Sequence, residues 1–587
     1  MRGHLQQGRS KLVGFCLLSV FATAVYLLTM DRSVSWWDCG EFIATGWLLQ
    51  VGHPPGAPTY QLLSHLFMLL SFGNPMLVAP LSNALSALAG GLTVGILYLT
   101  ILELSSSHSP LSTHLSAAIG ALCYLFCDTA WFSAVESEVY SLAMLFCALD
   151  VWLALRYRRT GNARLLLLVS LLLGLGVGVH LMTLLVVPAL LLIVLPALVH
   201  RRRWGLVVPA AVLFFALGLT PYLIVPIRAA ANPPITEGNP STAEAFMRYM
   251  KRDQYPKAPL YPRMWRERDE ANWSDWNYGL DGLAGNTVYY VNYQLGYMYG
   301  RYLMYNFIGR ENLKSHNIVV FILPCLRGLW GLLRHRRRSR WGFWTVMLLF
   351  LFGGTVLNIY LNHPCYEPRE RDYAYILSFY AFAIWIGLGA DELAGRVAES
   401  NKRWVKPVAW MLFALAPLLM AWGNWSDHDR HNCHSVHDIA LNHLQSCDQG
   451  AILITLGDND TFPLWYLQQV EQRRTDIDIY NVNLTGYAKT MRLIDDNMGK
   501  RPIYFSQYFV DRFGRYYAGQ LRCEGFCWRL LSAGEDPTDP QPLLRHIGDS
   551  IQWHITDNEY IDNVSSRFLT TYQNNLETFA TDLSSGR

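Results

Sequence analysis

Residues 181–199 read Leu-Met-Thr-Leu-Leu-Val-Val-Pro-Ala-Leu-Leu-Leu-Ile-Val-Leu-Pro-Ala-Leu-Val, without one charged side chain. A helix of about 20 apolar residues is long enough to cross the hydrocarbon core of a membrane. Three arginines follow at 201–203, as is usual at a cytoplasmic helix end. The whole chain of 587 residues is 52% hydrophobic and only 16% charged, which is too apolar for a typical soluble protein. This stretch therefore predicts an α-helical membrane protein.

Runs of similar length and composition recur along the chain. The first follows Arg9 and Lys11 and has no small-x-small cleavage site after it, so we interpret it as an uncleaved span. The eleven predicted spans lie near 12–30, 76–103, 113–128, 138–156, 164–179, 181–199, 205–227, 317–333, 341–361, 373–393 and 407–424. These runs predict a polytopic membrane domain over residues 1–424.

The basic residues cluster between these runs, and this predicts the orientation. With eleven spans all the clusters fall on one side, which the positive-inside bias makes cytoplasmic together with the N-terminus. The predicted outer segments are 31–75, 128–137, 228–316, 362–372 and the tail from 425. We therefore expect an inner (plasma) membrane protein whose C-terminal domain is periplasmic or otherwise extracytoplasmic.

The tail differs in kind because it contains no further span. Residues 451–455 predict a buried strand, 457–461 a turn and 462–470 a helix, with further strands at 477–482 and 502–505. Alternation of strands and helices favours a small α/β domain, which we place at residues 425–587.

Two features of the tail leave alternatives open. The turn contains Asp458-Asn459-Asp460, which could bind a metal ion or a sugar, or simply cap the following helix. One or two disulfides are possible in an oxidising compartment, and free thiols are the alternative. The cysteines concerned are Cys433, Cys447, Cys523 and Cys527.

The first outer loop carries two acids in an aromatic setting, Trp36-Trp37-Asp38-Cys39-Gly40-Glu41-Phe42. If residues 38–50 form a helix, Asp38 and Glu41 share one face and most apolar side chains lie on the other. Such a helix would lie in the membrane interface with its acids toward something polar. The two acids could form a capping box. That arrangement would not prevent Asp38 from acting as a general base.

Further candidates lie in the second outer loop and at two other positions. Glu136, Glu138 and Tyr140 follow Trp131, and the two acids could instead favour a helix start through the dipole. His180 lies at an outward turn, where a structural hydrogen bond is the alternative. Asp150 lies within a span, so it is either functional or paired with Arg156 near the cytoplasmic edge.

Arginines on the predicted outer face depart from the positive-inside bias. Arg228 ends the seventh span, and Arg369 and Arg371 follow His363 in the loop 362–372. The planar guanidinium suits phosphate. For the last two arginines the alternative is pairing within the loop, with Glu367, Glu370 or Asp372.

Four stretches together resemble a family, the bacterial domain-of-unknown-function 2723 membrane proteins. They are Trp-Asp-Cys-Gly-Glu-Phe from Trp37, His-Pro-Pro-Gly-Ala-Pro from His53, Val-Glu-Ser-Glu-Val-Tyr from Val135, and Gly-Asp-Asn-Asp-Thr-Phe-Pro-Leu-Trp-Tyr from Gly457. That family is similar to the animal transmembrane-protein O-mannosyltransferases of glycosyltransferase family 117. The membrane-domain resemblance covers roughly residues 10–230.

The resemblance implies an inverting, hexosyltransferase-like glycosyltransferase of GT-C type that uses a polyprenyl-phosphate sugar donor. Asp38 would be the catalytic base and Glu41 its assistant. The acceptor would be a hydroxyl, for example of Ser or Thr in an exported protein. From charge and topology, we expect the arginines to stabilise the leaving phosphate. The candidates for substrate binding are His53, Glu136, Glu138, Tyr140, His180, Arg228, His363, Arg369 and Arg371.

Other functional classes remain as alternatives. A transporter would need ionisable sites near mid-membrane, whereas these candidates gather at one face. An assembly or sensor protein would use only the tail, and a transferase acting on lipid or glycan acceptors would share the same site. No cofactor and no metal ligand is assigned, although a divalent metal stays open. The net charge of +3 argues against a nucleic-acid partner. The expected partners are a lipid-linked sugar donor, an exported protein or glycan acceptor, and membrane lipid.

Overall fold

The computed structural model describes residues 2–105, 110–200, 204–266, 270–310, 322–365, 367, 369–402, 404–532, 534–535 and 570. These residues form a largely helical protein with one small sheet toward the C-terminus. The predicted fold class, a helical membrane protein followed by a small region of mixed strands and helices, is confirmed.

The helices of the first half are numbered α1 to α12 in chain order. They are Arg2–Thr29, Cys39–Leu48, Pro58–Met68, Val78–Leu104, Pro110–Leu125, Asp128–Ala134, Val139–Thr160, Ala163–Val177, Val187–His200, Trp204–Gly218, Ile224–Ala230 and Ala243–Met250. Short 3-10 helices occur in the same half at Leu69–Ser71, Pro75–Leu77, Leu181–Val186 and Thr220–Leu223.

The helices of the second half are numbered α13 to α25. They are Glu270–Asn277, Gly282–Tyr289, Arg301–Ile308, Leu323–Arg338, Arg340–Leu351, Leu357–Leu361, Ile376–Ala398, Val405–His428, Ser435–Gln445, Phe462–Gln469, Val482–Thr485, Tyr487–Asn497 and Gln507–Phe513. Two π-helical segments, Tyr290–Gly300 and Phe352–Val356, and two 3-10 helices, Asp372–Tyr375 and Gly514–Tyr517, complete them.

Eight helical segments of the described chain are long and apolar enough to cross a membrane. They are Gly8–Thr29, Pro75–Leu104, Val139–Thr160, Leu181–His200, Gly205–Ala230, Arg340–Leu361, Asp372–Ala398 and Val405–His428. The pair Leu111–Leu125 and Asp128–Ala134, bent by 67°, makes a ninth if it is one broken span. The protein is therefore a multi-pass membrane protein.

The expected number of eleven spans is too high for the described residues. Ala163–Val177 is a helix of 15 residues, shorter than a membrane-spanning helix needs. The span expected near 317–333 begins outside the described residues, and the helix found there, Leu323–Arg338, has Arg327 inside it and ends in four basic residues. Ala163–Val177 therefore falls short in length, and the span expected near 317–333 lies partly outside the described residues.

Small residues bring the first spans together. Gly91 and Gly95 of α4 lie against Thr23 and Ser19 of α1 so closely that neither glycine has room for a Cβ. Small residues four apart are a common means of close helix packing in membranes. This packing sets the loop after α1 next to the end of α6, where the Asp31 N–H donates to the Val135 carbonyl at 2.9 Å. The first two predicted outer loops are therefore neighbours.

Asp150 is not paired as the sequence suggested. It is fully buried in α7, and neither carboxylate oxygen has a hydrogen-bond partner among the described residues. Arg156 instead lies 3.7 Å from Glu103, which also meets Arg159 at 3.0 Å and Lys11 at 4.0 Å. One acid at the end of α4 thus contacts basic residues in the last turns of α7 and near the start of α1.

The sheet has five strands, β1 Ile452–Thr455, β2 Asp478–Asn481, β3 Ile503–Phe505, β4 Leu521–Glu524 and β5 Cys527–Leu530. The order is β2-β1-β3-β5-β4, with β1 parallel to β2 and β3, and β5 antiparallel to both β3 and β4. All four residues of β1 are buried, as expected for the central strand of a parallel set. We call residues 435–530 the C-terminal sheet region.

All eleven cysteines lie among the described residues and carry free thiols. In the C-terminal sheet region, Cys447 and Cys527 both donate to the carbonyl oxygen of His443, at 3.4 and 3.6 Å. Of the two alternatives left open by the sequence, the structure contains the free thiols.

Candidate functional site

Asp38 lies at the N-terminal end of α2 without capping it. Its backbone is helical, with φ −77° and ψ −7°, and its side chain makes no capping hydrogen bond. A side-chain cap normally needs an extended backbone at this position, which explains the missing bond. The half-buried carboxylate of Asp38 is therefore not consumed by the helix end. The capping box is absent as well, because the Glu41 side chain binds His53 and not the backbone of Asp38.

Glu41 is fully buried and forms an ion pair with His53. One carboxylate oxygen accepts the backbone N–H of His53 at 2.6 Å, and the other lies 2.7 Å from His53 Nδ1. Burial alone would lower the pKa of His53. The charge and hydrogen bond of Glu41, with the charges of Asp38 and Glu237, outweigh it and raise the pKa well above its usual value. His53 is thus an imidazolium held beside the acids.

Gly52 makes this pairing possible. A Cβ at Gly52 would collide with the Glu41 carboxylate, so only glycine lets the chain pass this close to the acid. The Gly-His-Pro-Pro motif therefore has a structural role: its glycine allows His53 to pack against the face of α2 that contains Glu41.

Glu237 is a site residue that the sequence analysis missed. A short parallel bridge between Val51 and Thr236 fixes its backbone, with the Glu237 N–H donating to the Val51 carbonyl at 3.1 Å. Its side chain is 6% exposed, and both oxygens are buried with no hydrogen-bond partner among the described residues. Burial, and then the charge of Glu41, raise its pKa well above the usual value. The pairing is long-range, so no local pattern signals it.

The C-terminal sheet region contacts the first loop beside Asp38. The Trp37 N–H donates to Asn459 Oδ1 at 2.7 Å. A Cβ on Gly40 would lie 2.5 Å from the Phe462 carbonyl oxygen, so α2 and α22 are in backbone contact. Trp37 has a left-handed backbone, φ 63°, which is uncommon for a bulky residue. The turn 457–461 therefore forms part of the site's surroundings.

The acids of the second outer loop belong to a different cluster. Glu138 Oε1 lies 3.4 Å from Arg369, and Glu136 lies 3.8 Å from Arg369 and 2.7 Å from Arg430. Burial raises the pKa of Glu138 to about 8, against the effect of Arg369. The charge of Asp38 adds to this rise, so the two clusters are adjacent. The Arg369 guanidinium also lies over the rings of Trp37 and Tyr373, at 5.2 and 4.6 Å.

Tyr140 and His180 lie together. The Tyr140 ring is 5.5 Å from the His180 ring and 4.6 Å from that of Tyr373. His180 Nδ1 accepts the backbone N–H of Met182 at 3.1 Å, which is the structural role that the sequence left as its alternative. Burial and nearby positive charges lower the pKa of His180 to about 4, so the ring is neutral.

Arg228 and Arg371 have internal partners. Arg228 donates from Nε to the Leu49 carbonyl at 2.6 Å and from its second terminal nitrogen to the Leu48 carbonyl at 3.0 Å. It thereby covers the C-terminal end of α2, where a cation is favoured by the helix dipole. Arg371 pairs with Glu367 at 2.9 Å, which is the pairing within the loop that the sequence left open.

His363 lies in an internal network. Its carbonyl accepts hydrogen bonds from Gln294 at 2.6 Å and Tyr289 at 3.4 Å, and its Nδ1 is 3.4 Å from Glu367. Burial lowers the pKa of His363, so its ring is neutral at pH 7. Its Nε2 is buried without a partner in the described part of the chain. No contact joins His363 to the Asp38 cluster among the contacts described.

Two groups of side chains have donor atoms close enough to share a metal ion, all within 4.8 Å of one another. They are Asp38, Glu41 and His53, and Cys39, Glu136 and Glu138. In the first group His53 already binds both oxygens of Glu41, and in the second Arg369 contacts both glutamates. A metal ion would compete with these two protein cations for the same oxygens.

The chain is similar in structure to several solved proteins. ArnT from Cupriavidus metallidurans bound to undecaprenyl phosphate aligns with a TM-score of 0.48 and 10% identity, over 88% of this chain and 97% of ArnT. The archaeal oligosaccharyltransferase AglB from Archaeoglobus fulgidus, in complex with an inhibitory peptide and a dolichol-phosphate, aligns with a TM-score of 0.47 and 11% identity, over 86% of this chain and 70% of AglB.

Curated relatives are similar in sequence. The mouse protein O-mannosyl-transferase TMEM260 is 25% identical over 489 residues, which is 80% of this chain and 63% of the mouse protein. The Dictyostelium discoideum protein of the same name is 23% identical over 516 residues, 82% of this chain and 58% of that protein. The chain thus spans about three fifths of the length of these relatives.

Family models match both parts of the chain that the motifs singled out. Residues 38–202 match the N-terminal domain of protein O-mannosyl-transferase TMEM260, and residues 436–490 match TMEM260-associated domain 2. The first match begins at Asp38 and includes both acidic loops, and the second includes the turn at 457–461. The family resemblance predicted from the sequence is confirmed: this chain is similar to the protein O-mannosyl-transferase TMEM260 proteins in its membrane part and in its C-terminal sheet region.

Proposed function

We propose that this protein is a membrane glycosyltransferase of the O-mannosyltransferase type. It moves a hexose, mannose by the names of its relatives, from a polyprenyl-phosphate donor to a hydroxyl of an exported protein. The matched region 38–202 contains Asp38, Glu41, Glu136 and Glu138, which supports this choice. Both relatives are named as protein O-mannosyl-transferases.

The observation that carries the proposal is the state of Asp38. Its carboxylate is half-buried, does not cap α2 and lies beside the Glu41–His53 pair. A carboxylate in this setting can take a proton from an acceptor hydroxyl. The hydroxyl oxygen then bonds to the anomeric carbon as the bond from that carbon to the phosphate oxygen breaks. The phosphate leaves with the bonding electrons, and the configuration inverts.

The other groups divide the remaining roles. Both oxygens of Glu41 bind His53, so in this proposal Glu41 positions His53 and does not take the proton. His53, the cation in contact with this acid cluster, is suited to bind the leaving phosphate. Arg228 and Arg369, which the sequence favoured for the phosphate, already contact carbonyls and glutamates.

We infer that the site lies on the outer face of the membrane, with residues 1–424 as the membrane domain and 425–587 outside. Lys11, Arg156 and Arg159 gather around Glu103 at one end of the first spans. Asp38 follows the opposite end of α1, and Glu138 precedes α7 at the same end. The positive-inside bias then supports a cytoplasmic N-terminus and an outward site.

The test is Asp38→Asn in cells that lack the native chain, followed by mass spectrometry of exported glycoproteins and of lipid glycans. Loss of the base should lower hexose transfer to Ser or Thr by about 10²–10⁴-fold. The matched control is Asp253→Asn, which alters an exposed acid of the segment 228–316. Unchanged glycosylation at a normal protein level would overturn the proposal. A loss confined to lipid glycans would overturn the protein acceptor.

A further inference from the structure

The turn at 457–461 uses three of its four polar side chains for structure. The Thr461 hydroxyl donates to the Gly457 carbonyl at 2.6 Å. Asn459 accepts the Trp37 N–H and so joins the turn to the first loop. Asp460 accepts the N–H groups of Leu456 at 3.2 Å and Gly457 at 2.7 Å, and also the Ser506 hydroxyl. These hydrogen bonds stabilise the turn and hold it against the first outer loop.

Asp458 is left out of these bonds. Its side chain is exposed and makes no hydrogen bond to another described residue, while its carbonyl accepts the N–H groups of Thr461 at 3.1 Å and Phe462 at 2.8 Å. Its backbone therefore starts α22, and its carboxylate has no structural task. The sequence left helix capping as an explanation for this motif. The Asp458 side chain takes no part in capping α22.

The sheet topology places Asp458 where ligands bind in related architectures. From β1 the chain crosses to β2 on one side and then returns to β3 on the other side of β1. In open α/β sheets, the crevice outside the carboxyl ends of the strands at such a reversal is the usual binding position. The turn at 457–461 follows the carboxyl end of β1, and Ser506 follows that of β3.

The same turn faces the acid cluster of the first loop. The hydrogen bond between Trp37 and Asn459 joins the residues next to Asp38 and Asp458, so the two carboxylates are brought to one place. Loss of water where the exposed Asp458 side chain faces the protein, and then the charges of Asp38 and Glu41, raise the pKa of Asp458 to about 7, against the charge of His53. A carboxyl group near half-protonation both donates and accepts hydrogen bonds, as sugar hydroxyls require.

We infer that Asp458 is a substrate-binding residue that the C-terminal sheet region supplies to the membrane site, where it binds hydroxyl groups of the transferred sugar. This inference rests on the proposed function and adds the part of the substrate that the turn recognises. The phosphate and lipid of the donor would lie away from it, on the side of His53.

The experiment compares two probes on purified full-length protein in detergent: farnesyl phosphate and farnesyl phosphate mannose. Dissociation constants are measured for the wild type, Asp458→Ala, Asp458→Asn and Asp496→Asn. The last is the matched control, since Asp496 is an exposed acid on α24 of the same region. We expect Asp458→Ala to weaken binding of the mannose-bearing probe about ten- to hundredfold, as for a lost hydrogen bond to a charged group. Binding of farnesyl phosphate should be unchanged.

The ratio of the two dissociation constants separates recognition from structure, because a misfolded variant would lose both probes. Asp458→Asn, which keeps the size of the side chain, should fold and show a smaller loss in the same ratio. If the wild type binds the mannose-bearing probe no better than farnesyl phosphate, the proposed donor is wrong and the inference falls with it. If the wild type binds the mannose-bearing probe more tightly than farnesyl phosphate, and Asp458→Ala keeps the same ratio, the inference about Asp458 is wrong while the proposed donor stands.

Discussion

The acids of the first and second outer loops are neighbours, but the protein neutralises them in different ways. Glu136 and Glu138 lie against two buried arginines, Arg369 and Arg430. In the first loop the protein cation paired with Glu41 is the histidine His53. The arginines thus occupy oxygens of the second-loop acids, whereas the Asp38 side chain makes no capping hydrogen bond and lies beside the Glu41–His53 pair.

The comparison separates structural from reactive acids. From the sequence, Asp38 and Glu41 were the catalytic candidates and Glu136 and Glu138 were candidates for substrate binding, all at the same predicted face. The contacts now divide them: Glu136 and Glu138 hold the loop 362–372 against the second outer loop, while Asp38 keeps a carboxylate without a capping role. The experiments below break one cluster at a time.

The largest effect is expected from Arg369→Met. It leaves Glu136 with Arg430 alone and Glu138 buried without its cation. Removing one partner of a buried ion pair costs about 3–5 kcal/mol. We expect the folded fraction in detergent to fall, measured by chemical denaturation and by the yield of monodisperse protein.

The control for this variant is Arg473→Met. Arg473 is exposed and lies 3.9 Å from the largely buried side chain of Glu471, which keeps His437 as a partner at 3.1 Å. Such pairs contribute about 0–1 kcal/mol. If both variants were equally stable, Arg369 would not be the structural cation that its contacts indicate, and a direct role in binding substrate phosphate would gain support.

A smaller loss is expected from His53→Ala. Glu41 would remain fully buried without its partner, and a buried acceptor left unpaired costs about 1–3 kcal/mol. Adding Glu41→Gln to His53→Ala should recover part of that loss, since no charge then remains buried. The double-mutant cycle, measured by denaturation, gives the coupling of the pair. Strict additivity would show that Glu41 and His53 do not act as a unit.

The spanning helices and the parallel strands could be predicted from local pattern. Apolar runs and the turn after 451–455 carry these signals in adjacent residues, so β1, β2 and β3 lie within a residue or two of their predicted positions. The hairpin of β4 and β5 was missed. Its residues mix charged and apolar side chains, because Arg522 and Glu524 are buried as a pair instead of being exposed.

Only those residues of the candidate site that lie close together in the sequence could be predicted. Asp38, Glu41 and His53 come from one continuous stretch, and the sequence named all three as candidates. Glu237 reaches the cluster through a bridge to Val51, and Arg430 reaches Glu136 from almost three hundred residues away. Such partners are chosen by packing of distant helices, which a single sequence does not display.

Gly40→Ala tests whether the C-terminal sheet region completes the first loop. The added methyl group would press on the backbone of Phe462, and forcing extra atoms into a packed contact costs about 1–3 kcal/mol. We expect faster hydrogen exchange in residues 457–470 while the spanning helices stay protected. Gly205→Ala is the control, since nothing lies within 4 Å of a Cβ there. Equal exchange in both variants would contradict the tight contact between α2 and α22.

The smallest effect concerns the pH dependence of this docking. The pKa of Asp458 is raised from its usual 3.8 to about 7 by the loss of water where its side chain faces the protein, and by the acids of the first loop. A raised pKa means that the docked state binds the proton more tightly than the released state. This contribution to docking is therefore fully present below about pH 4 and is lost as pH rises through about 7. Because Asp458 is exposed, it should stay below about 1 kcal/mol.

The measurement is hydrogen exchange of residues 457–470 at pH 5.5 and 8, corrected for the intrinsic exchange rate. The other titratable groups facing Asp458 are present in every variant compared: Asp38, Glu41, His53, Glu237 and Asp460. Their titration cancels when the wild type is compared with Asp458→Asn, whose protection should change less between the two pH values. Asp496→Asn should behave as the wild type. An identical pH response in Asp458→Asn would show that this carboxyl group does not sense Asp38 and Glu41, and the two regions would then not share one electrostatic site.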